Sequence, residues 1–181
     1  MTRDVPRRTR AAVYGADGRV SVREMDLAPP VAGELLVRML ACGLCGSEAL
    51  RWYADQKAPF VLGHEPVGEI VSCGEGAKPA DGAAFVRGER VFVHHHAPCI
   101  RCRRCLRGDY VQCATWRKQS LVPGAVSEYA LVSAQSVLHD VLRVPADMDE
   151  ARATLVEPLA TVVKSVRRSG LRRNDRVLVI G

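Results

Sequence analysis

Aromatic side chains are scarce in this sequence, with Phe, Trp and Tyr making up only 5% of its 181 residues. Because 48% of the residues are hydrophobic and 25% charged, that scarcity signals neither disorder nor a membrane protein. Long apolar runs are absent too, none approaching the roughly 18 residues a bilayer span requires, so no membrane partner is expected. The basic opening, Thr2 to Arg10, is not followed by the apolar core of a secretion signal. A cytoplasmic location is the default expectation. Lysine is rare: 22 of the 26 basic residues are Arg, scattered along the chain, so the net charge of +6 forms no patch that would hold nucleic acid. No internal repeat, no low-complexity stretch and no complete G-x-G-x-x-G dinucleotide fingerprint occurs.

What the sequence does contain is a succession of short apolar runs punctuated by Gly and Pro. Ala11 to Tyr14, Val20 to Met25, Glu34 to Leu40, Glu69 to Cys73, Arg90 to His95 and Ser127 to Val132 read as strands of a barrel or sandwich. Gly46 to Ala54 suits a short helix. After Pro145 the pattern changes. Asp147 or Asp149 can cap a helix, apolar residues recur at helical spacing over Ala151 to Ser169, Pro158 starts a second helix and Gly170 stops it. Asp175 to Gly181 then reads as the first buried strand of a parallel nucleotide-binding sheet. The expected organisation is a flexible basic tail at 1–10, a β-rich domain at 11–158, and a linker helix with that first strand at 159–181.

Seven cysteines without an export signal point to metal rather than disulfides. Cys99, Cys102, Cys105 and Cys113 form C-x-x-C-x-x-C-x7-C, and four thiolates on one loop can close a tetrahedron around a structural zinc. An iron–sulfur cluster is the rival, but ferredoxins place the fourth cysteine three residues on and before Pro, whereas here seven residues intervene and Ala114 follows. Arg101, Arg103, Arg104, Arg107 and Arg117 either offset the thiolate charge or form a solvated basic face. A second set comprises Cys45, His64, Glu65 and Glu157. One thiolate, one imidazole and one carboxylate neutralise a zinc ion and leave a position open for water or substrate.

In family order and spacing, Cys42-Gly43-Leu44-Cys45-Gly46-Ser47, Gly63-His64-Glu65-Pro66-Val67-Gly68 with Gly74 beyond, the four-cysteine lobe and Glu157-Pro158-Leu159-Ala160 resemble the zinc-containing medium-chain alcohol and polyol dehydrogenases. The resemblance covers essentially everything after residue 10. It implies a mainly β, GroES-like barrel with short helices and a zinc-binding lobe, ending at the first strand of a Rossmann domain that these residues do not contain. It also implies two zinc ions, one structural and one catalytic. Cys45, His64 and Glu65 would hold the catalytic ion, with Glu157 a ligand or close neighbour. A small secondary alcohol or polyol would be oxidised to a ketone by hydride transfer to NAD or NADP, with Gly181 at the start of the cofactor site and the complete enzyme a homo-oligomer. Ser47 matches the hydroxyl that takes the alcohol proton, and equally suits a helix N-cap. The rival reading is a non-catalytic module binding two zinc ions.

Two positions depart from the family. Leu50 stands where many relatives have a proton-passing histidine, and Glu48 where many have Asp. His94, His95 and His96, read as consecutive strand residues, should face alternate sides and so cannot converge on one ion, while the resemblance implies that His95, four residues before the first lobe cysteine, contacts the substrate. Arg51, with Trp52 and Tyr53, is expected at the same pocket and hints at an anionic substrate. Cys42 and Cys73 read as small buried hydrophobes.

Overall fold

A computed structural model describes residues 5–80, 82–118 and 121–180. Two antiparallel sheets form the body. In the first, β1 (Arg8–Tyr14) lies between β2 (Val20–Asp26) and the two-residue β4 (Phe60–Val61). The second has six strands in the order β7 (Leu121–Val122), β8 (Tyr129–Val132), β3 (Leu35–Gly43), β5 (Glu65–Cys73), β6 (Arg90–Val93) and β9 (Val141–Arg143). A bridge between Ala11 and Ser127 ties the sheets together, and the larger one curls into a half-barrel. The core is aliphatic, as the scarcity of rings requires. Leu35, Val37, Ile70, Val91, Val93, Leu121 and Val132 are buried with no measurable exposure, and Phe85 is the ring among them.

The pairing of β3 with β5 positions the site. Its ladder runs from Leu35 opposite Cys73 to Gly43 opposite Glu65, with irregularities between Leu36 and Val37 and between Met39 and Ala41. Cys45 therefore leaves β3 where His64 enters β5. Two short helices follow Cys45: α1 (Gly46–Ala49) and α2 (Arg51–Ala54). Then come α3 (Ala134–His139), capped by Ser133, and α4 (Glu150–Thr154), capped by Asp149, whose side chain accepts the Arg152 N–H at 2.8 Å. Last is α5 (Val156–Ser169), carrying Pro158 in its first turn and ending at Gly170 with φ 72°.

Several boundaries differ from expectation. Strand β1 takes in Arg8 to Arg10, assigned from sequence to a flexible tail, because all three pair with Glu24 to Asp26. Helix α5 runs through the expected boundary at 158, since Pro in a first turn lacks only an N–H that the helix does not use. Asp175 to Ile180 forms no strand: a lone apolar run needs neighbours for its backbone, and none of the described residues supplies them. Gly181 lies outside the described residues. Among the described residues no helix is long and apolar enough to cross a membrane.

Candidate metal centres and cleft

The four lobe sulfurs lie within 4.8 Å of one another on a loop that includes two 3₁₀ turns, Cys105–Arg107 and Tyr110–Gln112. Cys105 Sγ is 3.9 Å from Cys99 Sγ and 3.5 Å from Cys102 Sγ. A tetrahedron with zinc–sulfur bonds near 2.3 Å has edges of about 3.8 Å, so the spacing fits one ion. Sulfurs this close leave no room for a core of several irons and sulfides. The backbone prepares them for charge: the Cys99 N–H donates to Cys113 Sγ and the Cys102 N–H to Cys99 Sγ, each at 3.4 Å. The Cys99 N–H is the main influence taking Cys113 down to about 5, whereas burial pushes Cys105 up to about 12. The cluster is able to hold a structural zinc, whose charge would ionise the reluctant thiol.

At the ends of β3 and β5, one donor atom each from Cys45, His64 and Glu65 also falls within 4.8 Å of the others. Glu65 is 6% exposed, and its carboxyl is raised by burial, with Glu157 and Glu48 adding repulsion. Gly43 makes room for it. A Cβ there would stand 2.0 Å from Glu65 Oε2. His64 is raised to about 9, first by Glu48 and then by Cys45, while Cys45 is lowered chiefly by the Ser47 hydroxyl. Three donors crowded this way, one kept charged by a proton, suit a cation that replaces the proton.

Sequence reasoning passed over Glu48 as a positioning residue. Its carboxylate accepts the N–H groups of Gly63 and, at 3.3 Å, Cys45, and it faces His64 Nδ1 at 3.7 Å. The capping-box spacing, Glu three residues after the N-cap Cys45, was the available signal. Ser47 is not the N-cap, because Cys45 holds that position; Ser47 sits in the first turn with its hydroxyl on the Cys45 sulfur.

Of these donors His64 lines a cleft of about 450 Å³, together with Ser47, Glu48 and Glu157 among others. Glu157 reaches it from α5 but stands outside the tight donor group. The chain has two Trp, four Tyr, three Phe and five His; seven of these rings, Tyr53, Phe60, His64, His94, His95, His96 and Trp116, line this one cleft. The expected alternation of the histidines fails because β6 ends at Val93, so all three face the cleft. Their rings form a ladder from the lobe to the donors: Trp116 to His96 at 4.4 Å, His96 to His95 at 3.9 Å and His95 to His64 at 5.1 Å. His95 Nδ1 is buried without a partner, and burial, followed by the neighbouring histidines and Lys57, takes the ring down to about 2, so it stays neutral. Arg51 does not reach the cleft. Helix α2 turns it outward toward Tyr14 and Gly18, and Tyr53 and Lys57 occupy the wall instead.

A profile of the alcohol dehydrogenase GroES-like domain matches residues 31–145. The erythritol/L-threitol dehydrogenase of Mycolicibacterium smegmatis is 28% identical over 100% of this chain and 53% of its own. The L-threonine 3-dehydrogenase of Pyrococcus horikoshii is 32% identical over 84% of this chain and 42% of its own. An Escherichia coli protein described as a short chain alcohol dehydrogenase, solved with NADH, superposes with a TM-score of 0.76 at 26% identity, covering 94% of this chain and 48% of that one. The chain spans about half the length of the curated relatives it matches.

Proposed function

Because this chain belongs to the alcohol dehydrogenase GroES-like domain family, we propose that it forms the zinc-binding catalytic part of an enzyme that oxidises a small secondary alcohol or polyol with NAD or NADP. The observation that carries this reading is the convergence of Cys45, His64 and Glu65, with His64 lining a cleft, separate from a closed four-sulfur cluster. A divalent ion held by those three residues would supply Lewis acidity to an alcohol oxygen, with a nicotinamide as the hydride acceptor. The protein's own part is to orient and to move a proton. Cys45 and Glu65 provide the negative charge, and Glu48 keeps the His64 ring in place. Ser47, lining the same cleft, takes the proton from the substrate hydroxyl. Glu157 stands in the cleft as a second carboxylate, able to join or leave the donor set. Cys99, Cys102, Cys105 and Cys113 tie the lobe together without entering the reaction. The polyol named by the Mycolicibacterium relative suits a cleft with this many polar rings. A homo-oligomer and a cytoplasmic location belong to the same proposal.

The test is metal content joined to a probe of the open position. Two equivalents of zinc are expected, Cys45→Ser losing one with the fold intact, and Cys102→Ser losing the other with a large drop in Tm, since structural metal binding is folding energy. With cobalt in the Cys45 site, a secondary alcohol should shift the visible absorption bands. An unchanged spectrum would favour the non-catalytic two-zinc module.

A further inference from the structure

The cleft lining includes a cation, Lys57. Lys57 follows α2, held by its backbone N–H to the Ala54 carbonyl at 3.0 Å, and its side chain folds back over the Tyr53 ring, 3.9 Å from the centroid. Its Nζ donates to Tyr53 Oη at 2.5 Å. Among the described residues no carboxylate lies within ion-pair distance of it, although Arg and Glu side chains pair repeatedly elsewhere on the surface.

The direction of that hydrogen bond decides what the pair can do. An ammonium group only donates, so Tyr53 must accept, and its own phenolic proton remains free. Lys57 keeps two further N–H protons. Lys57 and Tyr53 together therefore offer a charged and a neutral donor side by side, and both line the cleft. The neighbouring histidines do not compete for this role. Nδ1 of His96 is engaged by the Lys118 carbonyl at 3.2 Å and Nδ1 of His94 by Asp140 at 3.3 Å, so each spends its N–H on an acceptor within the protein. The carboxylates of Glu48, Glu65 and Glu157 gather instead around the donor end. The cleft thus carries carboxylates beside the Cys45, His64 and Glu65 group and a pair of donors at Lys57 and Tyr53.

We propose that the substrate is an alcohol carrying an anionic group, a carboxylate or a phosphate, which Lys57 and Tyr53 bind while the hydroxyl points to Cys45, His64 and Glu65. This rests on the functional reading above and narrows it to a substrate class. Lys57 would attract the anion while Glu48, Glu65 and Glu157 repel it, which favours one orientation of the bound molecule.

Calorimetric titration of the zinc-loaded chain with a neutral polyol, a hydroxy acid and a polyol phosphate of similar size tests this. At least one anionic ligand should bind about tenfold or more tightly than the neutral one, the scale of one charge-assisted hydrogen bond. Comparison of the two anions identifies which group is preferred. Lys57→Met should collapse the anionic-to-neutral affinity ratio about tenfold, Lys57→Arg should retain most of it, and Tyr53→Phe should lower it less than Lys57→Met. Equal affinity for charged and neutral ligands, or a ratio indifferent to Lys57→Met, overturns the proposal. Cys45→Ser separates the two readings. If it removes binding of neutral and anionic alcohols alike, both stand; if the anion still binds with undiminished affinity and Lys57 dependence, the anion site stands and the metal-directed alcohol does not.

Discussion

At the scale of single residues, Glu48 concentrates the most consequence. It is the point where the Cys45 loop, the Gly63 turn and the His64 ring meet, and its side chain is 10% exposed. Burial alone would raise this carboxyl, but His64 and the Gly63 N–H outweigh it and hold it low. A group that fixes a ligating histidine is worth about 10–100-fold in metal affinity. Glu48→Ala is therefore expected to weaken zinc at the Cys45 site by that factor, measured by competition with a chelator, while the lobe ion stays bound. Glu48→Asp should recover part of the loss. Equal weakening at both sites would mean that the substitution acts through the fold instead.

At the scale of elements, the sequence was legible wherever a period had room to show. Strands β1, β2, β3, β5, β6 and β8 sit on runs identifiable from alternation or apolar content, the four lobe cysteines come together, and Cys45, His64 and Glu65 do so without Glu157. Strands β4, β7 and β9 span only two or three residues, too few for alternation to register, and each exists because a longer neighbour offers it a free edge. The histidine wall was misread for a related reason: alternation was extended past Val93, where the ladder ends. Arg51 was misplaced because nothing in a four-residue helix tells which way it is turned. Strand β9 also anchors a loop that no pattern revealed. Arg143 bonds Glu89 at 2.8 Å, reaches the carbonyls of Ala83 and Ala84 and stacks over Phe85. Burial pushes the Glu89 carboxyl up, yet Arg143 leaves it below its ordinary value. A depressed folded pKa stabilises the protein above the unfolded value of about 4.3, and that contribution disappears as pH falls through the folded value. Glu89→Gln should thus lower stability at pH 7 by up to about 1 kcal/mol, the pair being partly exposed, with the difference from the parent chain vanishing in acid. A difference that grows in acid would reverse the assigned sign.

At the scale of the whole molecule, the two centres divide the work between a closed lobe and an open cleft, and the aliphatic barrel underneath is occupied by neither. Helix α5 has no buried residue, and Leu159, Val162 and Val166 stand exposed along it, while the barrel has its own sealed interior. The first turn of that helix meets the body through Val156 against Val67, Phe92 and Ala153 and through Glu157 at the cleft. The gathering of rings has a further consequence, an optical one. Of the two indoles, Trp52 is 65% exposed, while Trp116 packs against His96 at the cleft wall. Their emission should differ in colour, with Trp52 red-shifted by water and Trp116 bluer. Trp52→Phe would leave a single tryptophan, on the cleft wall, so filling the cleft should change its intensity or wavelength with no label attached. An emission blind to every ligand that calorimetry detects would place the bound molecule elsewhere. A chain that spends its few rings in one place has, in effect, built a lamp into its own binding site.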